Sequence, residues 1–285
     1  MWRWLFYSAA ILGSSSTVLY LCSPETHLGT LTRVHARKGG HESEPHDYAK
    51  GARATRLTTK VKVIAGAAIT MIRSEPIIIF ISLWQTTVMA IIYLFFDAFP
   101  IVFGLGHGFD AFQVGLAFLG CGLGMLAACA WSMSIELKLW HARLARAHGR
   151  LAPEMRLPQG LMGAILTVIG LFCFAYTSYP AIPWIVPIFG SSIYGFGALS
   201  VMLSTFAYVV DTYGSRAAPA FAAIGLIRSI ITGFLPLFGT RFYQDLGPRN
   251  ATLILAVIAV IEVAIPACAK RWGVSLRRQS AFAVT

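Results

Sequence analysis

The chain has 285 residues, 56% of them hydrophobic and 12% charged, with a mean hydropathy of +0.67. That composition excludes a soluble globular domain and places the chain among polytopic membrane proteins. The formal charge of +11 does not mark nucleic-acid binding, because the basic residues fall between apolar runs, where they set orientation.

Residues 4–22 form the first apolar run. Arg3 ahead of it invites a signal-peptide reading, but Pro24 and the basic stretch behind it favour a true span. Residues 23–75 are polar, with nine Lys/Arg, five Asp/Glu and four His. His27, His35, His41 and His46 lack ligand spacing, so the segment reads as a solvated linker and not a metal site. Its end, residues 61–72, is apolar enough to lie on the membrane as an amphipathic helix.

A span over 76–96 comes next, and the segment 97–110 after it has no Lys or Arg. Gly104, Gly106 and Gly108 lack the lysine and the preceding strand of a phosphate loop, so they read as a turn. A third span covers 112–135, where Gly120 and Gly124 let another helix approach closely. The loop 136–158 holds five basic residues. Residues 160–177 and 184–210 are two uncharged runs joined by the turn SYPAIP. A bilayer needs roughly 20 apolar residues in a helix, and only a helix satisfies its own backbone there. A sixth span is expected over 220–239 with a kink at Pro236, a loop to Asn250, and a seventh over 251–269.

The basic segments 23–75, 136–158 and 270–285 alternate with the weakly charged segments 97–110 and 178–183. This bias predicts seven spans with the N-terminus outside and the C-terminus cytoplasmic. Cys22, Cys121, Cys129, Cys173 and Cys268 lie in or at the ends of spans without CxxC spacing, so they read as structural thiols. No metal site and no cofactor are expected, and the chain does not read as an enzyme.

An ordered set of short motifs carries a family resemblance. PExRLP from Pro153, GLF from Gly170, TSYP from Thr177, WIVPI from Trp184, YGFG from Tyr194 and YVVDTY from Tyr208 follow one another. With Glu75-Pro76-Ile77, the run from Tyr93 to Pro100, Ile227-Arg228-Ser229 and Pro236-Leu237-Phe238, the set resembles the C-terminal half of fungal major facilitator transporters. The nearest group is the twelve-span drug/proton antiporters. Trp2-Arg3-Trp4 and Pro24-Glu25-Thr26 look like the two ends of that family's sixth span. The resemblance covers spans six to twelve, and the first five have no counterpart in these residues. It implies an all-α membrane protein: a first helix at 1–22, a basic cytoplasmic central loop at 23–75, a six-helix transporter bundle at 76–269 and a cytoplasmic tail at 270–285. The implied function is transport of small organic molecules driven by a proton gradient, most naturally in the plasma membrane. The implied partners are the lipid bilayer, an organic substrate, protons and an N-terminal transporter half.

An ionisable residue within a span is costly and is a functional candidate by default. Asp97, Asp211, Arg228 and Glu262 meet that description. Arg228 falls on the family's Arg-Ser position and pairs with Asp211 or Glu262 in the bland reading. Glu262 suits a proton-carrying carboxylate or a cavity-facing substitution. Asp97 stands where the resembled family usually has Glu; the alternative for it and for Asp211 is a helix end at the aqueous surface. A second set is polar or aromatic at helical spacing: Gln85 and Phe96 with Tyr93 at the shoulder, and Tyr194, Thr205 and Tyr208. Such faces suit a cavity for apolar molecules or for organic cations, or else plain helix packing.

Two other classes compete. A seven-span receptor fits the count, but no Asp/Glu-Arg-Tyr closes the third span, no Asn-Pro-x-x-Tyr the last, and 251–269 has no lysine for retinal. An inactive or regulatory fragment that associates with another chain is the third reading, since transport in this superfamily uses a site between two rocking halves.

Overall fold

The computed structural model describes residues 7, 10–11, 13–18, 66, 68–146 and 152–278. The chain falls into two units, 1–56 and 57–285. In the first, the described residues are helical, and Ser14, Ser16 and Thr17 hydroxyls donate back to carbonyls of their own helix at 3.0, 3.3 and 2.8 Å. Most of the expected span 4–22 and of the linker 23–75 lies outside the described residues.

The second unit is an all-helical bundle. Residues 68–74 are helical, and the chain turns at Glu75, whose extended backbone (φ −119°, ψ 99°) precedes Pro76. A residue before proline is pushed out of the helical region, and proline at a helix start loses no needed donor. Helix α1 then runs Pro76–Phe99. Pro100 cannot donate to the turn behind it, and the helix passes there into a π-helical stretch, Pro100–Gly106. Asp110 caps α2, Ala111–Trp131, by a capping box with Gln113, the two bonds measuring 2.8 and 3.1 Å. A second π-helical turn, Ser132–Glu136, links α2 to α3, Leu137–Arg146. Hence the expected loops at 97–110 and 136–158 are helical over much of their length.

A single 3-10 turn, Pro153–Arg156, opens α4, Leu157–Thr177, and α5 follows as Ile185–Tyr213. Helix α6, Ala217–Thr232, is shorter than a span, and α7 runs Leu235–Arg278 with a kink at Gly247. The expected sixth span over 220–239 is therefore not one helix. Pro236 has no N–H for the carbonyl of Thr232, and α6 stops at that residue. The expected loop 240–250 is instead the first leg of α7. It breaks only where Gly247 takes φ +76°, a conformation glycine allows, ahead of Pro248.

Five described helices are long and apolar enough to cross a membrane: Pro76–Gly106, Ala111–Arg143, Pro153–Thr177, Ile185–Tyr213 and Leu235–Cys268. Helix α4 packs along α5, α2 packs on the other side of α5, and α7 bridges α4 and α1, with α6 against α1. Missing side chains make the closest crossings. A β-carbon at Gly163 would come within 2.8 Å of Gly197 O, and one at Gly124 would strike the backbone of Ser192. The core at the Asp97 end is aromatic: Phe99 stacks on Phe118 at 4.2 Å, and Phe95 meets Phe174 at 4.7 Å and Tyr194 at 4.4 Å. Leu116, Leu119, Leu123 and Leu126 form the exposed flank of α2.

Candidate functional site

Two polar groupings stand out within this apolar bundle. The first is in mid-bundle. Trp84 Nε1 donates to Glu262 Oε1 at 3.1 Å, joining α1 to the long leg of α7. Trp84 is 1% exposed and Glu262 3%. The indole has room because α4 carries glycine opposite it: a β-carbon at Gly160 would stand 3.1 Å from Trp84 Cη2 and 2.8 Å from Ser204 Oγ. Gln85, the next residue on α1, is also buried, and neither its Oε1 nor its Nε2 has a hydrogen-bond partner among the described residues. An unpartnered amide away from water costs on the order of 1–3 kcal/mol.

The Tyr194 hydroxyl is likewise sealed and unpartnered. Tyr243 is fully buried, and its hydroxyl stands 3.5 Å from Thr252 Oγ1. Asp97 Oδ2 is sealed with no hydrogen-bond partner among the described residues, and a β-carbon at Gly239 would collide with it. This arrangement offers a carboxylate, an amide and hydroxyls in an apolar surrounding, where each is costly to bury.

The second grouping lies at the opposite end, marked by Glu75. The Tyr213 hydroxyl donates to Glu75 Oε2 at 3.2 Å. Arg156 Nε bonds Asp211 Oδ2 at 2.9 Å, and its guanidinium lies 3.5 Å above the Trp140 ring. Ser204 Oγ donates to the carbonyl of Arg156 at 2.7 Å. The 3-10 turn is thus fastened to α3 and α5. The ion pair is a fifth to a quarter exposed, so its net worth is at most about 1 kcal/mol and its main effect is positional.

These contacts correct the expected pairing of Arg228. Asp211 is taken by Arg156, Glu262 by Trp84, and Arg228 forms no ion pair with a described residue. Thr205 is buried with its hydroxyl turned back to the Val201 carbonyl at 2.8 Å. Tyr208 is buried, and Phe96 is partly buried against Phe118 at 5.4 Å. Tyr93 is 43% exposed, on the outward side of α1 and away from Gln85. The sequence reading missed Trp84, Tyr243, Glu75 and Tyr213 as partners. The signal for Trp84 and both tyrosines was available, since a buried indole or phenol usually finds a hydrogen-bond partner. No group of three or more His, Cys, Asp or Glu among the described residues could hold a metal.

The described helices form a membrane-type bundle with polar groups sealed at its centre, and comparison with known proteins names the family. The Major Facilitator Superfamily profile matches residues 1–236, and the chain belongs to that superfamily. It is a transporter-family chain and not an enzyme. It is 35% identical to the efflux pump atB of Aspergillus terreus, over 99% of this chain and 61% of that protein. It is 30% identical to the "Probable drug/proton antiporter YHK8" of Saccharomyces cerevisiae, over 99% of this chain and 56% of that one. It is 33% identical to the multidrug transporter mdrA of Aspergillus fumigatus, over 99% and 47%. The chain spans about half the length of these relatives. No solved structure matches it.

Proposed function

We propose that the chain is the C-terminal half of a proton-coupled efflux transporter for small organic molecules. In this reading a matching N-terminal half completes the path. The observation that carries the reading is the sealed polar centre: Glu262 and Gln85 are buried within apolar spans. The efflux and antiporter names of its relatives, and a match to about half their length, support the same reading. Residues 1–22 supply the first span, 23–75 the cytoplasmic central loop, 76–269 the transporter bundle and 270–285 the cytoplasmic tail. The Asp97 end faces outside and the Glu75 end the cytoplasm, as the Lys/Arg bias favours, and the family resemblance favours the plasma membrane.

One bundle alone leaves a cavity open on the side its partner closes, so nothing alternates its access. Cells producing the 285-residue chain alone should accumulate a fluorescent drug as vector controls do. Co-expression with an N-terminal half, or fusion of one ahead of Met1, should restore efflux, and a protonophore should abolish it. Efflux by the chain alone contradicts the two-half reading, and protonophore-insensitive efflux contradicts proton coupling. In the completed protein Gln85→Ala and Tyr194→Ala should alter which compounds are carried; an unchanged range assigns both residues to packing.

A further inference from the structure

Helix α6 carries a single charged residue, Arg228. It lies eleven residues beyond Ala217, about 16 Å along the axis at 1.5 Å per residue and so near mid-membrane. A guanidinium at that depth is costly against lipid tails and faces protein or a water-lined cavity. Arg228 is partly buried and makes no ion pair with a described residue. Asp211 and Glu262 are already held by Arg156 and Trp84.

Two other residues share its face of α6. Gly225 stands one turn before it and Phe221 two turns before it. Phe221 meets Phe206 of α5 edge to face, with ring centroids 5.5 Å apart. Between that ring pair and the cation, a β-carbon at Gly225 would meet no described atom within 4 Å. The glycines where α4 crosses α5 are different, since a β-carbon at Gly163 or Gly197 would strike the neighbouring backbone. Gly225 therefore does not serve close helix approach, and alanine would make the better helix there. What it leaves is a hollow on α6, with an aromatic wall at one end and a guanidinium at the other.

We propose that Arg228, Gly225 and the Phe206–Phe221 pair form a binding site for an organic anion, one carboxylate on an apolar, ring-sized body. The planar guanidinium takes a carboxylate through two parallel hydrogen bonds, and the body fills the hollow against the rings. The single charge of α6 selects a monoanion, because a phosphate dianion would keep an uncompensated charge in apolar surroundings. The site rests on the transport reading above and deepens it by naming a substrate class, but binding tests it without transport.

The full chain is placed in phosphatidylcholine nanodiscs, and equilibrium binding of tritiated 2-naphthoate is measured. Binding should saturate, and the neutral isostere 2-naphthamide should compete about tenfold more weakly or worse, as befits the loss of a charged hydrogen bond. Arg228→Gln should weaken binding by a similar factor, and Arg228→Lys should restore part of it. Gly225→Leu should abolish binding while thermal unfolding stays as in the parent chain. No saturable binding, equal competition by the amide, or full binding in Arg228→Gln or Gly225→Leu overturns the site. Displacement of naphthoate by phosphatidylglycerol would instead mark a lipid-phosphate contact. Loss of binding on fusion to an N-terminal half would mark Arg228 as the partner of a carboxylate in that half. Either result also overturns the proposal. Binding as expected without efflux by the completed protein contradicts the transport reading and leaves the site in place.

Discussion

At the scale of single residues, the sharpest feature is a carboxylate whose described partner is one indole N–H. Removing only that donor should be worse than removing the pair, because an unpartnered buried polar group bears its full desolvation cost. Trp84→Phe should lower stability by about 1–3 kcal/mol in detergent thermal unfolding. Trp84→Phe with Glu262→Leu should lose less than Trp84→Phe alone; equal or greater loss would show that the hydrogen bond is incidental. Asp97 supplies a second test. Gly239→Ala should destabilise the bundle by collision with its carboxylate, and Asp97→Ala in the same chain should relieve the damage. Sequence alone flagged Glu262 and Asp97 from their cost in an apolar run, and Gln85 and Tyr194 from helix faces of polar and aromatic residues. It did not pair them, because pairing depends on how each helix is rotated about its axis, and spacing within one helix is silent on the rotation of the next. Arg228 shows the limit: charge sign suggests Asp211 or Glu262, but Arg156, just ahead of α4, takes Asp211 of α5, and the Trp84 indole takes Glu262.

At the scale of helices, backbone contact at glycine sets the spacing. Gly197→Ala should force α5 from α4 at the backbone of Thr167 and cost about 2 kcal/mol or more, as overpacking does. Gly225→Ala on α6, where nothing lies within 4 Å of the new methyl, should be neutral or stabilising by up to about 1 kcal/mol. Similar effects at both positions in chemical denaturation would contradict the packing described. Helix existence was legible from apolar length, and α1, α2, α4 and α5 fall where the runs predict. The region 217–250 was misread for a local reason. The sequence suggests a tolerated kink at Pro236 inside a span, whereas α6 ends four residues before it and the following segment is helical as far as Gly247. The uninterrupted hydrophobic run concealed a break that only the missing proline donor reports.

At the scale of the whole molecule, the proposed function requires the bundle to be oriented in a bilayer and completed by a second half. A tag within 40–50 and one after Arg278 should be shielded from impermeant reagents in intact cells, while one near Gly106 should be labelled. The reverse pattern would overturn the proposed orientation. Coupling is tested most directly in sealed vesicles that hold the chain fused behind an N-terminal half, with a pH dye inside. The addition of substrate on one side should move protons the opposite way in proportion to substrate flux. Asp97→Asn and Glu262→Gln should uncouple the two, and the 285-residue chain alone should move neither. Substrate flux without proton movement, or equal exchange by the chain alone, would contradict the account.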